Sequence, residues 1–344
     1  MARSSSPLVN WSQYLPLRVV AGLVQCFSPE QNLRTAATVG TAFWNWNAKR
    51  RQRAIDNIRM SFPDWTRERA EDVGRASFQY MFQLAMVAAV MMGRLVTPDT
   101  WPRTLKLGNV QPVLDRLIEG RPMLMLTGHC GNWELLGYGV SVLGYPLTAI
   151  ARPLDNPLIN DWVLRIRQAH GLRILTKWGA TPEIQRSIEA GEHIGFIADQ
   201  NAGDQGVFVP FFGRLASSYK SIALLAMRYE MPIVCAQARR LGQQFKYELV
   251  CSDIIDPEDW RDAEDPLYLI TARYTHALEK LIRGAPEQYL WLHRRWKSRP
   301  RHEREGRPTP ESLIEKMRSL PWMDEDEVQR VVEHSDRAAA SRAS

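Results

Sequence analysis

Cysteine is scarce: Cys26, Cys130, Cys235 and Cys251 are the four in 344 residues, and no two form a Cys-x-x-Cys pair. This argues against a zinc ribbon or a disulfide scaffold and fits a reducing compartment. Long hydrophobic runs are also missing. The longest uncharged stretch, Ala76 to Gly93, reaches 18 residues but contains Gln79 and Gln83, so it reads as a buried or membrane-surface helix rather than a span. The first residues, "MARSSSPLVNWSQYLPLRVVAGLVQCF", contain Arg18 and Gln25 inside the apolar part and no small-residue cleavage site; an amphipathic helix is expected there, not a signal peptide. No Walker loop and no Gly-x-Gly-x-x-Gly occurs, so no nucleotide cofactor is expected. His-Glu-x-x-His is absent as well, and no metal is expected. No helix-turn-helix, zinc-finger or RNA-recognition signature accompanies the basic charge, which leaves nucleic acid out of the expected partners.

What is present is a hydrophobic content of 45%, enough to bury a substantial core. The net charge of +6 and pI of about 9.2 favour anionic partners: membrane phospholipids, phosphorylated substrates or an acidic carrier protein. Twelve tryptophans suit a membrane interface, where an apolar ring carries an N–H that still seeks a partner.

Three regions are expected. Residues 1–97 carry helical signals only, with one helix ending at Pro63, a second from Thr66 to about Met92, and a basic cluster at Lys49, Arg50, Arg51 and Arg53. This entry region is expected to associate with a membrane. Residues 98–307 alternate short apolar runs, "PMLMLTG", "LTAIAR", "RILTK", "HIGFIAD", "VFVPFF" and "PIVCAQARR", with helical stretches at Trp133–Leu143, Pro157–His170, Thr181–Ala190 and Ser217–Tyr229. That rhythm predicts an α/β core, a mixed sheet flanked by helices. Residues 308–344 are a polar tail, ending "DRAAASRAS", with too little apolar content to hold itself in place.

The chemistry concentrates in "MLMLTGHCGNWELLG", Met123 to Gly137. On a continuous helix, residues five apart point roughly 140° away from each other, so His129 and Glu134 would not share a face. Here a turn intervenes: the apolar run stops at Leu126, Gly128 and Gly131 permit unusual backbone angles, and helix signals resume at Asn132 or Trp133. His129 then sits at the carboxyl end of a strand, where open α/β sheets bind ligands. Glu134 in the first helical turn is positioned to orient one imidazole nitrogen and leave the other free to take a proton from a hydroxyl. A surface or core contact is the plainer account of such a pair. Cys130 beside His129 is either a nucleophile or a packing residue, and no Gly-x-Cys-x-Gly elbow surrounds it.

"HCGNWE" resembles the signature of the lysophospholipid-type acyltransferase superfamily: His, four residues, then Asp or Glu. "RPLDNPLINDW" (152–162), "ADQNAGDQGVFVPFFG" (198–213) and "PEQYLWLHRRWKSRP" (286–300) look like the late acyltransferases of lipid A biosynthesis, and the likeness runs from "NIRMSFPDW" to Pro300. The resemblance implies transfer of a fatty acyl chain from acyl carrier protein or acyl-CoA to a hydroxyl of a membrane glycolipid, at the cytoplasmic face of a bacterial inner membrane. It assigns His129 as general base, Glu134 as its orienting acid and Asp199 as an assisting carboxylate, although a turn or cap aspartate is an equal reading of Asp199. It places Arg152 and Arg167 at basic positions suited to a developing oxyanion or a phosphate, with Asn132 beside them as a substrate contact. From Arg294 to Arg307, seven Lys or Arg stand against Glu303 and Glu305. Either this is a solvated charged segment, or Arg294 and Arg295 meet phosphates or an anionic membrane surface. The alternatives are an acyltransferase on another glycolipid or phospholipid, and a non-catalytic lipid-binding protein.

Overall fold

The computed structural model describes residues 6–176 and 181–343. Residues 1–5 of the expected amphipathic start, Lys177 of "RILTK" and Ser344 lie outside the described residues.

Helices α1 (Pro7–Cys26) and α2 (Pro29–Trp46) each begin with proline behind a serine cap: Ser6 accepts from the Val9 N–H, and Ser28 from that of Gln31. One helix was expected to run on to Pro63, but it breaks at Asn47. That side chain accepts from the Arg50 N–H and starts α3 (Ala48–Ser61), because a short amide competes well for free backbone donors. α4 (Arg67–Gln83), a π turn (Leu84–Ala88) and α5 (Ala89–Leu95) follow. α2 and α4 cross closely where two glycines allow it. A Cβ on Gly40 would lie 2.7 Å from the Gln79 Cα, and one on Gly74 would lie 2.7 Å from the Trp44 ring. The run Ala76–Gly93 is core, with Phe78, Leu84, Val87, Met91 and Met92 buried. Among the described residues, no helix is long and apolar enough to cross a membrane.

The rest is α/β. In chain order come β1 (Leu105–Leu107), α6 (Gln111–Ile118), β2 (Leu124–Thr127), α7 (Trp133–Val142), β3 (Leu147–Ala151), α8 (Pro157–Gln168), β4 (Leu172–Thr176), α9 (Thr181–Glu189) and β5 (His193–Ile197). Then follow β6 (Val207–Phe211), β7 (Arg214–Ser218), α10 (Lys220–Tyr229), β8 (Ile233–Arg240), β9 (Tyr247–Ile255) and α11 (Pro266–Gly284). Seven strands form one sheet in the order β1-β9-β8-β2-β5-β3-β4. All neighbours are parallel except β8 and β9, so the sheet is mixed and flanked by helices as expected. "VFVPFF" is a strand outside that sheet: among the described residues β6 pairs with β7 alone, in a hairpin, turned by Phe212 and Gly213 at positive φ. The helix expected from Ser217 therefore begins at Lys220.

Alternation along the strands feeds two cores. Leu124, Leu126, Ile233 and Cys235 pack on one face with α3, α4, α10 and α11 side chains. Met125 and Val234 face the other, with residues of α5, α6 and α7. Trp44, Ile55 and Ile58 belong to the first core, so the N-terminal helices and the sheet share their interior.

The C-terminal segment, expected to be held by little, is packed. α12 (Arg301–Arg304), α13 (Glu311–Arg318) and α14 (Glu325–Ala343) bring Met317, Leu320, Val328, Val331 and Val332 against Val209, Leu215, Tyr268 and Ala272. Apolar residues at 328, 331 and 332 form one helical stripe inside a polar sequence, and a single stripe suffices to dock a helix.

Three histidines are held neutral by this packing. Burial is the first cause in each case, with Lys280 adding to it at His276 and Arg214 and Arg299 at His334: His276, His293 and His334 are each pulled down to about 4. The unfolded chain binds protons at these sites below its ordinary value of 6.5, whereas the folded chain does not until about 4. Their contribution is therefore complete above pH 6.5 and is lost as pH falls from 6.5 toward 4. The expected result is a midpoint of thermal unfolding roughly 5–10 °C lower at pH 4.5 than at pH 7.5. A flat profile over that range would contradict the packing.

Candidate active site

β2 and β5 are parallel neighbours with Thr127 opposite Ile197, and the Ala198 N–H extends the ladder to the Thr127 carbonyl at 2.8 Å. Two residues beyond each paired position stand His129 and Asp199. Equal register therefore sets them side by side, with His129 Nδ1 2.8 Å from Asp199 Oδ1. Gly128 permits this approach, since a Cβ there would sit 3.3 Å from the Asp199 side chain. Gly131, at φ +57°, lets the loop press against β8, where a Cβ would lie 2.5 Å from the Ala238 carbonyl oxygen. Asn132 then caps α7 by accepting from the Leu135 N–H. A strap after α11 closes the loop from below: the Leu290 N–H donates to the His129 carbonyl and the Gly131 N–H to that of Gln288.

Asp199 is 1% exposed. Burial alone would push its carboxyl up, but the charge and hydrogen bond of His129, with help from His293, hold it down to about 2. It is a carboxylate at neutral pH, and Nδ1–H of His129 is the donor to it. Nε2 is thereby left as the basic nitrogen, with the Gln200 amide 3.5 Å away. The imidazole borders a cleft of about 770 Å³ whose wall includes Trp133, Glu134, Arg152, Arg167 and Gln200. A second, apolar cavity extends from it beneath the sheet toward Val113, Leu117, Val140 and Leu172, and the two share Trp133, Ile150, Phe196 and Ile197.

Several expected roles do not survive the geometry. Glu134 does not orient His129; it forms a bidentate pair with Arg167, Nε to Oε2 at 2.7 Å and Nη2 to Oε1 at 2.5 Å. The reason lies in the turn: α7 starts at Trp133 and carries Glu134 toward α8, while the neighbouring strand supplies the carboxylate for the histidine. Asn132 is fully buried as a helix cap, which removes its side chain from substrate contact. Arg295 is 2% exposed and donates to the Ser217 carbonyl and Ser218 Oγ, so its guanidinium anchors β7. Cys130 is fully buried, and burial followed by the Asp199 charge pushes its thiol up to about 12, which excludes a thiolate nucleophile at neutral pH. Arg152 lies exposed on the cleft rim, 3.3 Å from Asp155. Arg294 is exposed on the strap.

His293 escaped the sequence reading. Its ring meets that of His129 edge to face, centroids 4.6 Å apart, and it is neutral. It sits within "LWLHRRWKSRP", so the signal was a histidine inside a segment already singled out. Donor atoms of His129, Asp199 and His293 all lie within 4.8 Å of one another, a spacing one divalent ion can bridge. The direct His129–Asp199 hydrogen bond already engages two of those three donors.

The class of enzyme, an O-acyltransferase, follows from the family to which the chain is matched. The profile of the bacterial lipid A biosynthesis acyltransferase family matches residues 2–298, and the chain belongs to that family. It is 25% identical over 250 residues to a lipid A biosynthesis acyltransferase of Haemophilus influenzae, covering 71% of this chain and 74% of the relative. It is 27% identical over 269 residues to the lipid A biosynthesis lauroyltransferase of Escherichia coli K12, covering 73% and 81%. A palmitoleoyltransferase of the same organism is 28% identical over 262 residues, with coverage of 73% and 80%.

Proposed function

We propose that this protein transfers a fatty acyl chain from an acyl thioester, carried by acyl carrier protein or coenzyme A, to a hydroxyl of a lipid A precursor at the cytoplasmic face of the inner membrane. The observation that carries the reading is the His129–Asp199 pair beside a cleft that shares its wall with an apolar cavity. Nε2 of His129 takes the proton of the acceptor hydroxyl as its oxygen attacks the thioester carbonyl carbon. Asp199 stabilises the imidazolium that forms. The tetrahedral intermediate collapses with cleavage of the C–S bond, and the thiolate leaves with the proton returned from Nε2. Arg167, its position fixed by Glu134, keeps Nη1 outside the bidentate contact and stands in the cleft wall to offset the oxyanion. The apolar cavity receives the chain, each buried methylene contributing about 0.8 kcal/mol.

Membrane attachment is carried by α1. Leu8, Trp11, Leu15, Val19 and Leu23 are exposed, Leu8 by 83%, on a helix whose other side contains the buried Ala21 and Val24. Such an uncovered stripe suits a helix lying in the headgroup region.

The test uses purified protein with anionic vesicles that contain a lipid A precursor, supplied with acylated acyl carrier protein or acyl-CoA as the donor. Mass spectrometry is expected to show one acyl group added per thiol released, and Leu15→Glu/Val19→Glu to lower vesicle binding about tenfold or more. Absence of acylated product with both donors would sink the reading. Undiminished vesicle binding by the variant would sink the attachment through α1.

A further inference from the structure

On the far side of His293 from His129 lies a pocket of about 440 Å³ that the transfer chemistry does not use. Its wall holds Arg53 from α3, Arg214 from β7, Arg294, Lys297 and Arg299 from the strap, and His334 from α14. Arg299 is paired with Glu303 at 2.5 Å. Among the described residues, Arg53, Arg214, Arg294 and Lys297 have no carboxylate partner. Arg214 is the telling member. It is 3% exposed, its guanidinium lies 3.4 Å from the centroid of the Trp296 ring, and its Nη atoms reach only Met60 Sδ and Ser61 Oγ, both at 3.3 Å. Its Nε, the Trp296 indole N–H and His334 Nδ1 are buried without a hydrogen-bond partner. Glu279, whose field reaches Arg214, is committed to Arg283 and to the Phe212 N–H.

A buried guanidinium with no counter-charge is costly, and so are buried donors with no acceptor. One kind of ligand relieves both: a compact anion with several acceptor oxygens. Burial and then the charge of Arg299 pull Arg214 down to about 9, burial and then the charges of Arg214 and Arg299 hold His334 neutral, and the unpaired cations of the wall leave the pocket with an excess of positive charge. We infer that this pocket is a phosphate-binding subsite, built on Arg214 and gated by Arg294 and Lys297, that holds a phosphate group of a substrate one histidine ring away from the catalytic imidazole. The subsite rests on the acyl-transfer reading only for the identity of that substrate. α14 closes it from beyond residue 298, where the family match ends.

The phosphate belongs either to the acceptor glycolipid or to the donor thioester, and the experiment separates them. First, inorganic phosphate is titrated into the full-length protein by calorimetry against chloride at equal ionic strength. Arg294→Gln/Lys297→Gln is the main variant, since both side chains are exposed at the mouth and their loss leaves folding intact. Arg67→Gln/Arg75→Gln on α4 gives the same change of net charge elsewhere. Saturable binding by the wild type, weakened about tenfold or more by the mouth variant and unaltered by the control, is the expected result. No binding above the chloride reference, or equal weakening by both variants, overturns the subsite, whatever the fate of acyl transfer. Second, steady-state kinetics of the mouth variant are expected to raise one KM with kcat little changed. A raised acceptor KM assigns the phosphate to the glycolipid, and a raised donor KM assigns it to the thioester carrier. An unchanged KM for both substrates makes the site one for adventitious ions and overturns the inference.

Discussion

His129→Ala is expected to lower acyl transfer about 10²- to 10⁴-fold, the range for loss of a general base that works within a unit. The variant removes the imidazole that borders the cleft and is hydrogen-bonded to Asp199. It also leaves the buried Asp199 carboxylate without its partner, so some loss of stability accompanies it. His129→Gln separates the two effects. A glutamine amide can still donate to Asp199 and preserve the fold, but its pKa makes it useless as a base, so turnover should stay as low as in the alanine variant. Because histidine and aspartate act together, adding Asp199→Asn to His129→Ala should cost little more. Initial rates of thiol release measure all three. Turnover within tenfold of wild type for His129→Gln would mean that another group removes the proton.

Much of this site was legible in the sequence, Asp199 included through its motif, but not that Asp199 rather than Glu134 is the carboxylate that holds the histidine. Gly128, Gly131 and the switch from an apolar run to helix signals locate His129 at a strand end, because each feature acts through a few neighbouring residues. Which carboxylate reaches the imidazole depends instead on strand order. Asp199 stands 70 residues further on, and only the parallel pairing of β2 with β5, in the register Thr127 to Ile197, brings it alongside. A local reading takes the nearest acid, Glu134, and misses that a helix one turn later points it at Arg167. The strands follow the same division. Six strands, β2 to β6 and β8, were recognised from their apolar runs, whereas β1, "LKL", is too short to show one. β7, "RLASS", was not recognised, since its small polar side chains are buried by the hairpin and the C-terminal helices and not by their own hydrophobicity. β9, "YELVCSDII", did carry a usable alternation, with Tyr247, Leu249 and Cys251 all buried on one face. The final helices mislead for a related reason: one stripe in a polar sequence is enough once a hairpin offers it a groove.

The contrast between two carboxylates gives the sharpest test of the site. Asp199→Asn should reduce transfer about 10²- to 10⁴-fold, because an asparagine side chain turned to donate to Nδ1 stabilises the tautomer with the proton on Nε2, where the lone pair is needed, and it cannot stabilise the imidazolium. Glu134→Gln should cost less, about 10- to 100-fold, since it loosens Arg167 but leaves the base and its tautomer in place. Double substitutions sort the units further. Glu134→Gln with Arg167→Leu should be little worse than Arg167→Leu alone, because Glu134 acts through the arginine it holds. Asp199→Asn with Glu134→Gln should show the product of the two separate losses, because the histidine pair and the arginine pair share no hydrogen bond. If Glu134→Gln instead proves the more damaging change and fails to compound with His129→Gln, then Glu134 turns to the imidazole when substrate binds. The carboxylate at Asp199 would in that case hold the loop rather than the proton.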